Sequence, residues 1–145
     1  MAQLNSYLTF NGNCKDAMLF YKACLGGELE LQTIADSPIG ERLPEKMKRC
    51  ILHATLKSDT LVIMGSDMAP ENLTKGNAFS MMLTFDSEEE IRKAYADLSK
   101  DGQATHPLEK TFFGALFGHL TDKFGHQWML CYSSEENKPL TVGCN

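Results

Sequence analysis

The four histidines of this chain are its best candidates for acid–base or metal chemistry: His53, His106, His119 and His126. An imidazole can bind a metal ion or exchange a proton near neutral pH. His53 and His119 each interrupt an apolar segment typical of a strand. Such a side chain either points into a pocket as a hydrogen-bond donor or base, or bonds to backbone or water, and both interpretations stay open. His106 lies in a predicted loop and His126 in a predicted turn, so we expect neither to reach a ligand.

Other catalytic motifs are missing from the sequence. It has no G-x-S-x-G nucleophile elbow, no P-loop and no H-E-x-x-H pair, and its five cysteines show no C-x-x-C spacing. Asp67 and Asp122 could be imagined as general bases. Each lies in a predicted turn, where a short acidic side chain usually accepts hydrogen bonds from backbone amides. The sequence therefore contains no established catalytic constellation.

Length and charge limit the classes of function. The chain has 145 residues and a formal net charge of -5, which is typical of one acidic domain able to bury a core. No run of Lys or Arg accompanies an aromatic platform, so nucleic acid is not an expected partner. No apolar run approaches the roughly 20 residues that span a bilayer, and the first ten residues do not resemble a secretory signal. We therefore expect a cytoplasmic protein that does not contact a membrane.

An internal repeat indicates how the candidate residues are positioned. Leu8-Thr9-Phe10 returns as Leu83-Thr84-Phe85, and each copy is followed by a helical pattern that carries a tyrosine, Tyr21 or Tyr95. Duplicated modules favour a pseudo-twofold architecture. A cleft between duplicated sheets is a natural place for a ligand.

Hydrophobic periodicity predicts the same order of elements in both modules. The first module is predicted to contain a strand, a helix and three strands: Tyr7–Phe10, Cys14–Leu25, Glu28–Ala35, Lys48–Lys57 and Thr60–Met64. The second is predicted to repeat this order: Phe79–Phe85, Ser87–Lys100, Thr105–Lys110, Leu116–Asp122 and Trp128–Tyr132. Residues 65–77 are rich in turn formers and read as a linker. Ser87 followed by Glu90 is a capping box at the start of the second helix.

Five motifs carry a resemblance to a known family: Tyr7–Asn13, Ala17–Tyr21, Leu25–Gly27, His53–Leu56 and Asp122–Trp128. Together they resemble the vicinal oxygen chelate superfamily, which includes glyoxalase I, extradiol dioxygenases, and fosfomycin- and bleomycin-resistance proteins. The closer similarity is to its PhnB-like branch. Members of this branch are often labelled as a ubiquinone methyltransferase domain. The chain lacks the glycine-rich strand-to-helix turn that a methyl-donor nucleotide fold would need, so we do not expect that activity.

The resemblance implies an α+β fold in which paired βαβββ modules form a cup-shaped curved sheet. We expect a single glyoxalase-like domain over residues 1–132, with one module at about 4–66, the other at about 78–132, and a flexible tail at 133–145. The resemblance also implies a homodimer.

In metal-dependent members, four side chains in the cup hold a divalent ion that binds neighbouring oxygens of the substrate. Those positions fall here on Asn5, Ser80, Met129 and the segment Val62–Met64. Such ions prefer histidine, carboxylate or amide donors. We therefore predict no metal and no other cofactor, although a divalent ion held in an unfamiliar way stays open.

The cup is predicted to bind a small apolar or aromatic molecule. Only one face of each sheet packs under a helix, so the other face can line the cup. The predicted ligand-binding residues are Asn5, Tyr7, His53, Met64, Ser80, Phe113, Phe117, His119, Trp128 and Met129. The aromatic residues among them could instead close a dimer interface.

Two hypotheses of function remain. The first is a bleomycin-resistance-like protein that binds its ligand without changing it and without a conventional metal site. The alternative is a metal-dependent or His-based lyase, isomerase or dioxygenase of the same superfamily. The substituted metal positions favour the first. If side chains of the protein fill the cup, no ligand can enter, and the protein would serve only as a scaffold.

Overall fold

The chain divides into two compact units, one ending at Thr74 and the other beginning at Lys75. The computed structural model describes residues 1–112 and 114–133. Phe113 and most of the predicted tail lie outside these residues. Within the described ranges, neither helix has the length and apolar character needed to cross a bilayer.

The first unit has the order β1, α1, β2, β3, β4. Its elements are β1 (Ser6–Thr9), α1 (Cys14–Leu25), β2 (Glu28–Thr33), β3 (Ile51–Lys57) and β4 (Val62–Ser66), with two short 3-10 turns at Gly40–Arg42 and Glu45–Met47. The strands form one sheet in the order β1-β4-β3-β2. β1 runs parallel to β4, whereas β3 runs antiparallel to both β2 and β4.

Helix α1 forms where the sequence predicts it and covers one face of this sheet. Its buried side chains are Cys14, Ala17, Met18 and Tyr21, which share one side of the helix. The helix ends at Gly26, whose φ of 77° suits glycine and whose N–H donates to the Lys22 carbonyl at 2.8 Å. The apolar stripe therefore fixes both the extent and the orientation of the helix.

Strand alternation divides the first sheet into two faces. Ala54, Leu56 and Ile63 are buried on the side of α1. The opposite side, which we call the helix-free face of the first sheet, presents Tyr7, His53, Thr55 and Met64. The register supports this assignment, because Met64 lies opposite both Tyr7 and Thr55.

The second unit repeats the βαβββ order. Its elements are β5 (Met81–Phe85), α2 (Glu88–Ser99), β6 (Gln103–Lys110), β7 (Leu116–Thr121) and β8 (Gln127–Tyr132). The sheet order is β5-β8-β7-β6, with β5 parallel to β8 and the other pairs antiparallel. The predicted α+β class with two βαβββ modules is therefore confirmed.

Helix α2 begins at a side-chain cap. The Ser87 hydroxyl accepts a hydrogen bond from the Glu90 N–H at 3.0 Å, as the capping-box pattern predicts. The buried side of the helix carries Ile91, Ala94, Tyr95 and Leu98. This side packs on the second sheet and defines its covered face.

Alternation also divides the second sheet. Leu116, Leu120, Trp128 and Leu130 are buried in the core, on the face covered by α2. The opposite side, the helix-free face of the second sheet, carries Ser80, Met82, Phe117, His119 and Met129. Its members are tied by register, since Met82 and His119 both lie opposite Met129.

Several predicted strand boundaries differ from the structure, most informatively in the first unit. β4 includes Gly65 and Ser66, which the sequence assigns to the linker. These residues stay in the sheet because β1 pairs with them, Leu8 with Gly65 and Thr9 with Ser66. The strand predicted from Lys48 begins only at Ile51.

Asp67 joins three elements of the first unit. One carboxylate oxygen accepts hydrogen bonds from the N–H groups of Gly12 and Cys14, both at 2.9 Å. The other accepts from the Ile51 N–H at 2.8 Å. The end of β4 is thereby tied to the start of α1 and the start of β3, and the prediction that Asp67 binds backbone amides is confirmed. Asp67 also affects the nearby thiol of Cys14. Burial, together with the Asp67 charge, raises the pKa of this thiol to about 12, so the thiol is a poor nucleophile.

Asp122 has a similar role in the second unit. Its Oδ1 accepts from the N–H groups of Phe124 at 2.8 Å and His126 at 3.0 Å, and its Oδ2 accepts from the Trp128 indole N–H at 2.8 Å. The carboxylate therefore organises the β7–β8 turn. The prediction of an amide-binding turn residue is confirmed here too.

The replacement Asp67→Asn should destabilise the fold. An amide keeps one acceptor oxygen but turns an NH2 group toward a backbone N–H, so we expect a loss of about 2 kcal/mol in the free energy of unfolding. Urea denaturation measures it. Asp59→Asn, in the exposed β3–β4 turn, is the matched control and should change stability by less than about 0.5 kcal/mol. Equal stabilities for the two variants would contradict the proposed role of Asp67.

His126 predicts a pH dependence of stability. Burial lowers the pKa of its imidazole from 6.5, and Lys75 lowers it further, whereas Asp122 opposes the shift. Below about pH 6.5, His126 therefore binds a proton more readily in the unfolded chain than in the folded one. The free energy of unfolding consequently falls as the pH falls. Urea unfolding at pH 7.5 and 5.5 should show this loss, and His126→Gln should reduce it. An unchanged pH dependence in the variant would exclude His126 as its source.

Candidate functional site

The helix-free face of the first sheet gathers three of the predicted ligand-binding residues, Tyr7, His53 and Met64. The Tyr7 ring is tilted against the His53 ring, with centroids 6.0 Å apart. His53 Nε2 lies 3.1 Å from the Thr55 hydroxyl, so the imidazole is held by a neighbour on the same strand. Tyr7 remains 54% exposed. Asn5 is exposed and precedes β1, outside this cluster.

The helix-free face of the second sheet gathers four more of the predicted residues: Ser80, Phe117, His119 and Met129. Ser80 immediately precedes β5, and its hydroxyl lies 3.3 Å from His119 Nε2. All four side chains are half-buried. This face therefore combines apolar surface with a polar centre.

His119 is the best-held side chain on this face. Its Nδ1 lies 2.5 Å from the Thr105 hydroxyl, while its Nε2 faces Ser80. Its backbone carbonyl accepts a hydrogen bond from the Tyr95 hydroxyl at 3.0 Å, and the same hydroxyl reaches the His106 carbonyl at 3.0 Å. The ring and the strand beneath it are thus fixed from both sides of the sheet. An imidazole with one nitrogen fixed has a defined direction for the other, as an acceptor or base requires.

Sequence reasoning missed Thr105, Met82 and His106. Thr105 and His106 lie in β6, whose pairing with β7 shifts register on both sides of His106. Regular alternation cannot predict contacts across such bulges. His106 lies within β6, as the predicted strand Thr105–Lys110 implies, so its separate assignment to a loop was wrong. It lies opposite His119 and packs edge-on against Phe117 with ring centroids 5.8 Å apart. Met82 was not among the predicted site residues, and it is 51% exposed on this face.

Trp128 lies away from this face. The indole is only 1% exposed, on the side of the sheet covered by α2, and its N–H donates to Asp122. Since adjacent residues of a strand point to opposite faces, Met129 and Trp128 cannot both line one face. Phe113, another predicted site residue, lies outside the described residues.

The positions that bind a divalent metal in the superfamily do not fit such an ion here. Asn5 offers one amide oxygen, Ser80 a neutral hydroxyl and Met129 a soft thioether, and the segment Val62–Met64 offers only apolar side chains and one thioether. Among residues 1–112 and 114–133, no group of three or more His, Cys, Asp or Glu side chains could hold an ion. Hard divalent ions prefer carboxylate, carbonyl and imidazole donors. We therefore derive no chemistry through a divalent metal.

Comparisons with known proteins agree with this architecture. Protein YjdN of Escherichia coli (strain K12) is 31% identical over 137 residues, which cover 88% of this chain and 92% of that protein. The crystal structure of protein PA1353 from Pseudomonas aeruginosa is 35% identical, has a TM-score of 0.82, and covers 93% of this chain and 100% of its own. The PhnB protein from Bacillus cereus is 30% identical with a TM-score of 0.74, and covers 91% of this chain and 100% of its own.

A family model matches nearly the whole described chain. It spans residues 3–130, from before β1 to within β8, and includes every described residue of the two helix-free faces named above. The resemblance inferred from the five motifs, including the similarity to PhnB-like proteins, is thereby confirmed. The chain belongs to the Glyoxalase/Bleomycin resistance protein/Dioxygenase superfamily.

Proposed function

We propose that this protein binds a small, planar, apolar or aromatic molecule without a hard divalent metal, and that the helix-free face of the second sheet supplies the main contacts. The observation that carries the proposal is the fixed imidazole of His119 among apolar side chains. Ligand sites in proteins are mostly apolar with a few well-placed polar groups, and this face has that composition.

The apolar part of the face suits a flat guest. Phe117 offers an aromatic surface, and Met82 and Met129 offer flexible thioethers that adapt to irregular shapes. Sulfur also makes favourable contacts with aromatic rings. A planar aromatic compound would therefore gain more from this face than a sugar or a highly charged compound.

The polar part of the face would orient the guest. His119 Nε2 is directed toward Ser80, and the 3.3 Å separation of Nε2 and Oγ leaves a weak bond that a ligand hydroxyl can replace. Thr105 holds the opposite nitrogen at 2.5 Å, so the ring need not reorient when the ligand enters. A fixed polar group lowers the ordering cost of binding.

The proposal also includes a homodimer that is located in the cytoplasm. Superfamily resemblance supports a homodimer, and the sequence composition supports a cytoplasmic protein. The identity of the ligand depends on neither the oligomeric state nor the location. Gel filtration of the purified protein measures the oligomeric state.

An enzyme that uses His119 as a general base is the second candidate. The arrangement of imidazole between two hydroxyls favours it, because Thr105 can fix the tautomer that leaves Nε2 free to accept a proton. In such an enzyme, Nε2 would remove a proton from a bound substrate. His119→Gln would then abolish turnover while leaving most of the binding affinity.

The proposal predicts binding of 2-naphthol, a flat aromatic compound with one hydroxyl. We expect a saturable, one-to-one interaction by isothermal titration calorimetry and a rise in melting temperature. Phe117→Ala should weaken binding about two- to tenfold, since it removes an aromatic contact. His119→Ala should reduce the affinity for 2-naphthol more than the affinity for naphthalene. Only 2-naphthol has a hydroxyl group that can form a hydrogen bond with His119.

Leu19→Ala is the matched control for this experiment. Leu19 is exposed on α1, in the other unit, and belongs to neither helix-free face, so its replacement should leave the affinity unchanged. Absence of saturable binding, or equal losses for Leu19→Ala and Phe117→Ala, would overturn the assignment of the second sheet.

A further inference from the structure

A row of sulfur and imidazole donors crosses the helix-free face of the second sheet. Met82 of β5 lies directly opposite Met129 of β8, and Met129 lies directly opposite His119 of β7. Neighbouring strands are about 5 Å apart, so three donors from successive strands start within reach of one another. We call Met82, Met129 and His119 the sulfur–imidazole row.

The direction of the imidazole places its Nε2 above β8, beside Met129. Ser80 lies at the start of β5, and β8 separates β5 from β7. His119 Nε2 can approach the Ser80 hydroxyl to 3.3 Å only if the two side chains meet above β8, beside Met129. Nε2 therefore lies above β8 on the Ser80 side of Met129, and the flexible Met82 side chain has to turn toward it from the next residue pair of the sheet.

The donor types select the kind of ion. Thioether sulfur is a soft ligand that favours monovalent copper over hard ions, and imidazole is compatible with it. Methionine has three rotatable side-chain bonds, so both sulfurs can turn toward one point. Met82 is 51% exposed and Met129 is half-buried, so the ion can enter from the surface.

Thr105 completes the arrangement that a ligating histidine needs. Metal-binding histidines usually donate their second ring N–H to an oxygen, which fixes the tautomer and directs the other nitrogen at the metal. Here His119 Nδ1 lies 2.5 Å from the Thr105 hydroxyl. In the tautomer with the proton on Nδ1, the Ser80 hydroxyl donates to Nε2 when no ion is bound. A bound ion replaces this hydroxyl at Nε2.

We propose that the sulfur–imidazole row binds one soft monovalent cation, Cu(I) in the cell, through the sulfurs of Met82 and Met129 and Nε2 of His119. This site differs from the superfamily's divalent-metal set in its donors and in the ion it takes. His106 stays outside it, because its Nε2 lies 3.2 Å from a Glu109 carboxylate oxygen and its Nδ1 lies 3.2 Å from the Pro107 carbonyl oxygen.

Silver(I) is the probe that tests the site, because it is a redox-inert stand-in for Cu(I). Accessible thiols are first blocked with N-ethylmaleimide, and silver nitrate is titrated in chloride-free buffer into protein labelled with 13C at its methionine methyl groups. We expect the Met82 and Met129 methyl signals to shift together and to stop shifting at one equivalent. The Met82→Leu and Met129→Leu variants assign these signals, and each should weaken binding at least tenfold.

Two further variants separate a built site from general thioether affinity. Met68→Leu is the matched control, because Met68 is 45% exposed but lies outside the row, and it should leave the affinity unchanged. Thr105→Val should weaken binding about ten- to a hundredfold by releasing the imidazole. A Met68 signal that shifts as readily as that of Met82, or a Thr105→Val variant with unchanged affinity, would overturn the proposal.

The ion site and the aromatic ligand site can fail independently. Leucine keeps the volume and apolar character of methionine but has no sulfur donor. Met82→Leu and Met129→Leu should therefore weaken silver binding at least tenfold, and should weaken 2-naphthol binding less, through the loss of a sulfur–aromatic contact. Phe117→Ala should show the reverse pattern, since Phe117 has no donor atom. Parallel loss of both ligands in all three variants would contradict an ion site that depends on the two sulfurs.

Discussion

The fold depends on one physical constraint, namely that each four-stranded sheet buries a single face under a single helix. Cα–Cβ directions alternate along a strand, so burial of Leu56 or Trp128 on one side commits the neighbouring residue to the other side. The helix-free faces are therefore determined by the cores. A slip of one residue in β8 would exchange Trp128 with Met129 and would break the indole bond to Asp122. The hydrophobic core thus selects which side chains can serve as a site.

Two carboxylates keep these registers in place at the strand ends. Asp67 binds three backbone N–H groups that belong to the starts of α1 and β3 and the loop before α1, and Asp122 binds two backbone N–H groups and one indole. Both are acidic side chains in strand-linking segments, yet neither is available as a base. The chemistry of the helix-free faces is therefore left to imidazole, hydroxyl and thioether groups, and His119 has a partner at each of its ring nitrogens.

The sequence predicted most of the fold because helix stripes and strand alternation are local signals. Helix α1 begins and ends at the predicted residues, and α2 differs by one residue at each end. The site was harder to predict, because it depends on pairing between strands distant in sequence. The contact of His119 with Ser80 spans 39 residues, and that with Thr105 crosses a strand pair with two register shifts. The position of Trp128 was difficult to predict for the same reason. Until the strand register is known, an aromatic residue in a strand can be assigned either to the ligand-binding face or to the core.

Ligand binding on the helix-free face of the second sheet is the property on which the proposed function depends. The most direct test is a crystal structure of the protein soaked with 2-naphthol. We predict density for the compound against Phe117 and Met129, with its hydroxyl within hydrogen-bond distance of His119 Nε2 and the Ser80 hydroxyl displaced. Density located only on the covered side of the sheet, or only against Tyr7 and His53 of the first unit, would contradict the claim.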